Sequence, residues 1–448
     1  MTFDTICAIA TPFGTAGISV IRVSGPDAMI KINRIFKGSD LTKAPSHTIH
    51  YGHIIDETND ILDEVMVSVL RAPKTFTAED TIEISTHGGI LITQKVLERI
   101  LSLGIRLAEP GEFSQRAYLN GRIDLIEAES IMDLIHAKNE KAMKIATLGI
   151  NKDISQMIKT LRSKLLTMIA QIEVNIDYPE YDDAIVMSND IIYPQATALL
   201  EELEVLLKES QKNQLIKEGI KTAIIGRPNV GKSSLLNTLL DEEKAIVTEI
   251  AGTTRDTIEA YINMGGVTLN LIDTAGIRDT EDVVEKIGVK RSKKALEEAS
   301  LVLLVLDQSA ELTKEDKDLL ALSKDKTRII IANKSDLPKA LSLDNVLPIS
   351  TLNKSGIKEL EKAILKVLSL EDIENRDFNY LSNVRHIAKV KEAKASLEDV
   401  IKAINQGLPV DLYAIDLTDA WQSLGDILGE RYQDELLDEL FSKFCLGK

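Results

Sequence analysis

The sequence predicts a multidomain chain combining α/β and all-α parts: an N-terminal α+β domain, a helical domain, and a doubly wound α/β domain inserted into the helical one. Three observations carry this. Residues 1–118 alternate strand-like runs with an amphipathic helix. Two blocks of helical periodicity, 119–217 and 372–448, flank a third segment, 218–371. In that segment short apolar runs alternate with helical stretches, the pattern of a parallel sheet covered on both faces. The termini of a domain commonly lie close together, so insertion of one domain into another is the economical arrangement.

Composition bounds the function. A chain of 448 residues, 44% hydrophobic and 27% charged, has room for about two to four domains. Its longest compact apolar run, Leu301–Leu306, stops at Asp307 and reads as a buried strand, far short of a membrane span. Met1-Thr2-Phe3-Asp4 carries no basic residue ahead of an apolar stretch, so a signal peptide is not expected. With only two cysteines, Cys7 and Cys445, a disulfide framework is excluded and a cytoplasmic setting is expected. The net charge of −17 argues against non-specific coating of nucleic acid, while a local basic surface for RNA stays open.

In chain order, Ile18–Val23 reads as a strand ending at the turn Ser24-Gly25-Pro26, and Val65–Leu70 and Thr81–Ser85 alternate like strands. Thr86-His87-Gly88-Gly89 then turns into a helix over Ile90–Leu103. His87 has two readings, a catalytic group or a residue capping that turn. Ile123–Ala137 and Ile150–Ile176 have helical spacing, and the acidic stretch Tyr178–Asp183 reads as a solvated connection before a helix resuming near Asn189. Ile258–Ile272, with Gly265-Gly266 at its centre, reads as a hairpin. Strands follow at Leu301–Asp307, Arg328–Ala332 and Val346–Ile349, then helices over Val384–Ile404 and Leu412–Phe444.

The chemistry concentrates in one stretch. Gly226-Arg227-Pro228-Asn229-Val230-Gly231-Lys232-Ser233-Ser234 lies between the strand-like Lys221–Ile225 and the helix-like Leu235–Leu240. That is the context of a phosphate-binding Walker A loop, whose backbone N–H groups and helix N-terminus favour anions. Lys232 is expected on the β/γ-phosphates and Ser233 on Mg²⁺. Asp273-Thr274-Ala275-Gly276 follows a strand, with Asp273 beside the Mg²⁺ and the Gly276 N–H sensing the γ-phosphate. Asn333-Lys334-Ser335-Asp336 follows another. Asp336 can accept two hydrogen bonds from guanine that adenine does not offer, and Ser350 supports the base loop. Between these lies a switch, Thr248-Glu249-Ile250-Ala251-Gly252-Thr253-Thr254, in which Thr254 completes the Mg²⁺ coordination. Ile277 occupies the place of the usual water-orienting glutamine. The catalytic group must therefore come from elsewhere: Glu285, or a cation held by Asn229.

These motifs, with Ile250-Ala251-Gly252-Thr253-Thr254-Arg255-Asp256, Asp273-Thr274-Ala275-Gly276-Ile277-Arg278 and the terminal Phe444-Cys445-Leu446-Gly447-Lys448, resemble those of the MnmE (TrmE) family of tRNA-modifying GTPases. So do Ala10-Thr11-Pro12, Gly17–Gly25, His87-Gly88-Gly89 and Pro110-Gly111-Glu112-Phe113-Ser114. The likeness spans the chain, and the N-terminal and terminal-cysteine motifs make it specific. It implies an N-terminal folate-binding and dimerisation domain, a split helical domain and an inserted Ras-like G domain. It further implies a homodimer that forms a heterotetramer with an FAD-dependent MnmG-type partner. Together these would install a carboxymethylaminomethyl or aminomethyl group at C5 of the tRNA wobble uridine, from a 5-formyl- or methylene-tetrahydrofolate one-carbon unit. By the same resemblance K⁺ is held by Asn229, Thr248, Ile250 and Thr253, and Glu285 is the catalytic glutamate. Folate contacts map onto Arg22, Glu83, Arg122 and Lys448, and Cys445 has a part in the modification chemistry. Three positions depart from the commonest pattern: Leu446 for isoleucine, Thr351 for alanine, and Arg122 where lysine also occurs. Two other readings compete: a ribosome-assembly or translation GTPase without modification chemistry, and a folate-dependent one-carbon enzyme that GTP merely regulates.

Overall fold

The structure, a computed structural model, describes residues 4–177, 187–241, 245–246, 260–272, 296–374, 376–430, 434–445 and 447. The chain divides into two compact units. One gathers Met1–Met132, Gly149–Ser163 and Trp421–Lys448, the other Asp133–Leu148 and Lys164–Ala420.

The first unit is built on seven strands, β1 (Ile6–Ile9), β2 (Ile18–Ser24), β3 (Phe36–Lys37), β4 (Thr48–Ile55), β5 (Ile61–Leu70), β6 (Thr81–His87) and β7 (Arg106–Leu107). Their order is β3-β4-β5-β6-β2-β1-β7, antiparallel throughout except for β1 beside β7. Alternation fixes the inner face. On β5, Val65, Val67 and Val69 are buried, and on β6 Ile82 and Ile84, packing with Val96 and Ile100 of the helix Ile90–Leu101. Cys7 lies in this core, where burial pushes its thiol up to about 12.

Beside β1 a buried ionic network closes the unit. Arg116, on the helix Glu112–Leu119, has a side chain only 2% exposed. It bonds Glu112 Oε1 at 2.8 Å, Asp4 Oδ1 at 2.8 Å and the Asp4 carbonyl, and it pairs with Glu79 at 3.3 Å. Arg106 bridges the same Glu112 and Asp4. A buried guanidinium is tolerated only when so fully paired.

Among the described residues the second unit holds seven strands: β8 (Ile220–Ile225), β9 (Ala245–Ile246), β10 (Ala260–Met264), β11 (Val267–Leu271), β12 (Leu301–Asp307), β13 (Arg328–Asn333) and β14 (Leu347–Pro348). They lie in the order β14-β13-β12-β8-β11-β10-β9. From β14 to β11 every pair is parallel, while β10 runs antiparallel to β11 and β9 to β10. This is the doubly wound, Ras-like topology expected. Both faces are covered, with Leu301, Leu303 and Val305 in one apolar cluster and Val302, Leu304 and Leu306 in the other. The chain leaves β8 for the β9–β11 side of the sheet and leaves β12 for β13 on the other side. The reversal therefore falls between the ends of β8 and β12, where open α/β sheets bind ligands.

Several expected elements shift. The helix expected over Ile150–Ile176 is Asp153–Asp177, and before it a separate helix that was not expected, Glu140–Ile150, ends where Lys152 takes a left-handed φ of 69°. The expected C-terminal helix is two, Val410–Leu428 and Asp434–Ser442. The strand expected over Val346–Ile349 shortens to Leu347–Pro348, with Ile349 N still donating to the Ala332 carbonyl at 2.9 Å. The helix placed near Asn189 opens as a π-turn, Met187–Ile192, and becomes α-helical over Tyr193–Glu218. Tyr178–Asp183 lies outside the described residues.

Candidate functional site

The loop after β8 leads directly into the helix Lys232–Asp241. Asn229 holds a left-handed φ of 64°, and Val230 is fully buried beneath the loop. Ser233 and Ser234 stand exposed at the first turn, where backbone N–H groups lack intrahelical partners. Lys232 Nζ folds back to donate to the Arg227 carbonyl at 2.8 Å. Burial lowers its pKa below the ordinary lysine value, so an anion entering the loop meets a poorly solvated ammonium.

The base loop is joined to this phosphate loop. Asn333 is buried, and its Nδ2 donates to the Val230 carbonyl at 2.8 Å while its Oδ1 accepts from Thr351 N at 3.3 Å. A Cβ on Gly231, whose φ is +95°, would sit 2.1 Å from Asn333 Nδ2, so only glycine lets the two loops approach. Ser350 donates through its hydroxyl to Asp336 Oδ1, and Ser335 N donates to the Ile349 carbonyl at 3.0 Å. Thr351 in place of alanine leaves its contact intact, because the bond comes from its backbone. The strand ends thus bring together Asn229, Val230, Gly231, Lys232, Ser233 and Ser234 with Asn333, Lys334, Asp336 and Ser350. Thr248, Glu249, Ile250, Ala251, Gly252, Thr253, Thr254, Asp273, Thr274, Ala275, Gly276 and Glu285 lie outside the described residues.

Sequence reasoning missed two acidic residues here. Asp316 forms a capping box with Thr313 at the start of the helix Lys314–Leu322 and stands 3.2 Å from Arg227 Nε of the phosphate loop. The Thr313-to-Asp316 spacing was the available signal. Asp307, at the end of β12, pairs with Lys334 at 2.6 Å.

A second polar cluster lies in the first unit. Arg22 and Glu83 are direct cross-strand partners on β2 and β6. Arg22 Nε donates to Glu83 Oε1 at 2.9 Å and Nη1 to the Gly447 carbonyl at 3.1 Å. The guanidinium lies 5.9 Å and 5.7 Å from the ring centroids of Phe76 and Phe113. Gly447, with φ +87°, runs so close to β1 that a Cβ would meet the Ile9 carbonyl at 2.7 Å. Gly111 N donates to the Cys445 carbonyl at 3.3 Å, leaving the Cys445 side chain exposed. Arg122 is exposed, and among the described residues no hydrogen bond or ion pair joins it to this cluster; Lys448 and Leu446 lie outside them. His87 proves to be anchored at its turn. Its Nδ1 is 2.7 Å from Oδ1 of the buried Asp63, and its backbone N donates to Oδ2 at 2.9 Å. That carboxylate raises the imidazole pKa.

Comparison with known proteins decides the family. A family described as the MnmE helical domain matches residues 125–445, and one described as GTP-binding protein TrmE N-terminus matches residues 5–122. Over 448 residues the chain is 66% identical to the tRNA modification GTPase MnmE of Acholeplasma laidlawii (strain PG-8A), covering 100% of both. The chain belongs to the MnmE family. Identity is 56% over 460 residues with the MnmE of Aster yellows witches'-broom phytoplasma (strain AYWB), and 52% over 458 residues with that of Bacillus cereus (strain ATCC 14579), again with full coverage of both. As a member of the MnmE family it is a GTP hydrolase of tRNA modification, and its TrmE-type N-terminus separates it from a G protein without modification chemistry. Among the described residues no helix is long and apolar enough to cross a membrane.

Proposed function

We propose that this GTPase acts on the wobble uridine, working in the cytoplasm as a homodimer with an FAD-dependent partner and coupling K⁺-stimulated GTP hydrolysis to addition of an aminomethyl-type group at C5. The observation that carries this is the presence of two chemically distinct sites in one chain: a phosphate loop clamped to a base loop by Asn333, and the Arg22–Glu83–Gly447 cluster. The domain limits go with the reading: 1–118 for the folate-binding and dimerisation domain, 119–217 and 372–448 for the helical domain, 218–371 for the G domain.

At the first site the residues suit a guanine triphosphate. The buried Asn333 clamps the phosphate loop to the base loop, and Asp336, held by Ser350, offers its carboxylate to the guanine edge. Lys232 exchanges the Arg227 carbonyl for a phosphate oxygen, a stronger acceptor for a desolvated ammonium. Ser233 and Thr254 would hold Mg²⁺, with Asp273 beside it, and Glu285 would orient the attacking water. Asn229, exposed on the loop, would hold K⁺ with Thr248, Ile250 and Thr253. That cation supplies the charge that an arginine finger contributes elsewhere.

At the second site the chemistry suits a folate. Arg22, flanked by two aromatic rings, is a partner for an anionic or flat heteroaromatic group, and Glu83 can accept from the pterin edge. Arg122 and Lys448 would meet the glutamate tail. A tetrahydrofolate supplies the one-carbon unit when bound, and Cys445, exposed near Gly447, is placed for a part in its use.

Nucleoside analysis of tRNA from cells lacking the protein tests the reading, with loss of the C5-modified wobble uridine expected. Persistence of that nucleoside would overturn it. GTP turnover is expected to be fast in KCl and slow in NaCl, and equal rates would remove the role given to Asn229.

A further inference from the structure

We propose that Asp307 is a positioning residue for guanine-nucleotide binding, fixing Lys334 across the floor of the base site. The proposal rests on the guanine reading of that site and adds to it a residue outside the phosphate- and base-binding motifs.

Asp307 closes β12, and Lys334 begins the loop after β13, its parallel neighbour, in which Asn333 is paired with Asp307 in register. The two side chains bridge adjacent strand ends, Lys334 Nζ lying 2.6 Å from Asp307 Oδ2. The carboxylate cannot swing away. Its Oδ1 accepts from Ser309 N at 2.9 Å and from Ser309 Oγ at 2.6 Å, and its side chain is only 9% exposed. The backbones are tied as well, Gln308 N donating to the Asn333 carbonyl at 2.8 Å. Lys334 itself takes a left-handed φ of 63°, a conformation a non-glycine residue keeps only where its surroundings enforce it.

Asn333, before it, holds the phosphate loop, and Asp336, two residues after it, reads the base edge. With its ammonium pinned to β12, Lys334 spans from the end of β13 to the end of β12, the strand that borders with β8 the crevice where an open α/β sheet binds its ligand. An extended apolar stem is a surface on which a flat base can pack. A lysine free to rotate would first have to be ordered, at a cost that subtracts from affinity. The pair is therefore expected to act on every purine that uses this floor, while Asp336 alone chooses guanine.

The test uses the full chain and a fluorescent mant-GDP probe. Asp307→Asn, nearly isosteric, is expected to weaken mant-GDP about tenfold through faster dissociation, the scale of one charge-assisted hydrogen bond. Inosine diphosphate, which lacks the 2-amino group, is expected to weaken by the same factor. Lys334→Ala should weaken binding similarly, and the double variant no more than either single one. Circular dichroism and the thermal midpoint of the nucleotide-free protein establish that each variant is folded; where Asp307→Asn is not, Lys334→Met carries the comparison. Unchanged mant-GDP affinity in a folded Asp307→Asn variant overturns the proposal, as do single effects that multiply to about a hundredfold in the double variant. Failure of the underlying reading looks different: the wild-type protein binds no mant-GDP, or Asp336→Asn gains no xanthosine-nucleotide binding.

Discussion

The two sheets solve the same problem in opposite ways. The sheet of the second unit is mostly parallel and buried on both faces, so its strands are continuous apolar runs and its polar chemistry is pushed to the loops at one edge. The sheet of the first unit is antiparallel and buries one face by alternation, which places Arg22 and Glu83 mid-strand on its other face. A site on loops is written as contiguous motifs. A site on a strand face is written one residue at a time, spaced by two, and completed by whatever the fold brings alongside.

Variants that disable one region alone sharpen that contrast. The largest effect is expected from Arg116→Ala, which strands Glu79 without its cation and leaves Glu112 and Asp4 to Arg106 alone. A loss of about 3–5 kcal/mol in denaturant unfolding is expected, with mant-GDP affinity of the remaining folded protein unchanged. Gly231→Ala should do the reverse. Its Cβ meets Asn333 Nδ2 at 2.1 Å, so nucleotide affinity by fluorescence titration is expected to fall about a hundredfold or more, with the thermal midpoint of the first unit unmoved. Glu83→Gln comes next, weakening 5-formyltetrahydrofolate in calorimetry by about tenfold while GTP turnover keeps its wild-type rate.

The smallest effect is one of pH. Arg106, and after it Arg116, hold the Asp4 carboxylate at about 2 against an ordinary 3.8, despite partial burial that acts the other way. For Glu112 burial raises the pKa, but Arg106, the Glu109 amide and Arg116 outweigh it and the net direction is down. A depressed carboxylate adds stability that is fully present above its unfolded pKa and lost as pH falls through the folded one. The first unit is therefore expected to lose stability between about pH 4 and about pH 2, followed by circular dichroism, and Asp4→Asn to flatten that limb. An acid limb identical in the variant would show that Asp4 is not among its causes.

Legibility in the sequence followed the same division. Phosphate and base loops could be read because each is a short contiguous stretch at a strand end, and Leu301–Leu306 because a strand buried on both faces has no polar position. The helix Glu140–Ile150 could not, since its register is separated from the next helix only by the left-handed Lys152. Nor could the pairing of His87 with Asp63, a partner 24 positions away.

The sequence by itself thus determined the class of the second unit, its phosphate loop and its choice of guanine, all matters of local propensity and near-neighbour spacing. Only tertiary structure decided which residues meet across long separations: Asn333 with Val230 over 103 positions, Arg116 with Asp4 over 112, and Arg22 with Gly447 over 425. Alternation tells which face a strand residue takes, but strand register and chain closure choose its neighbour, and both depend on the packing of the whole core. Asp307 belongs to that second class: in the sequence it ends an apolar run, and in the fold it holds Lys334.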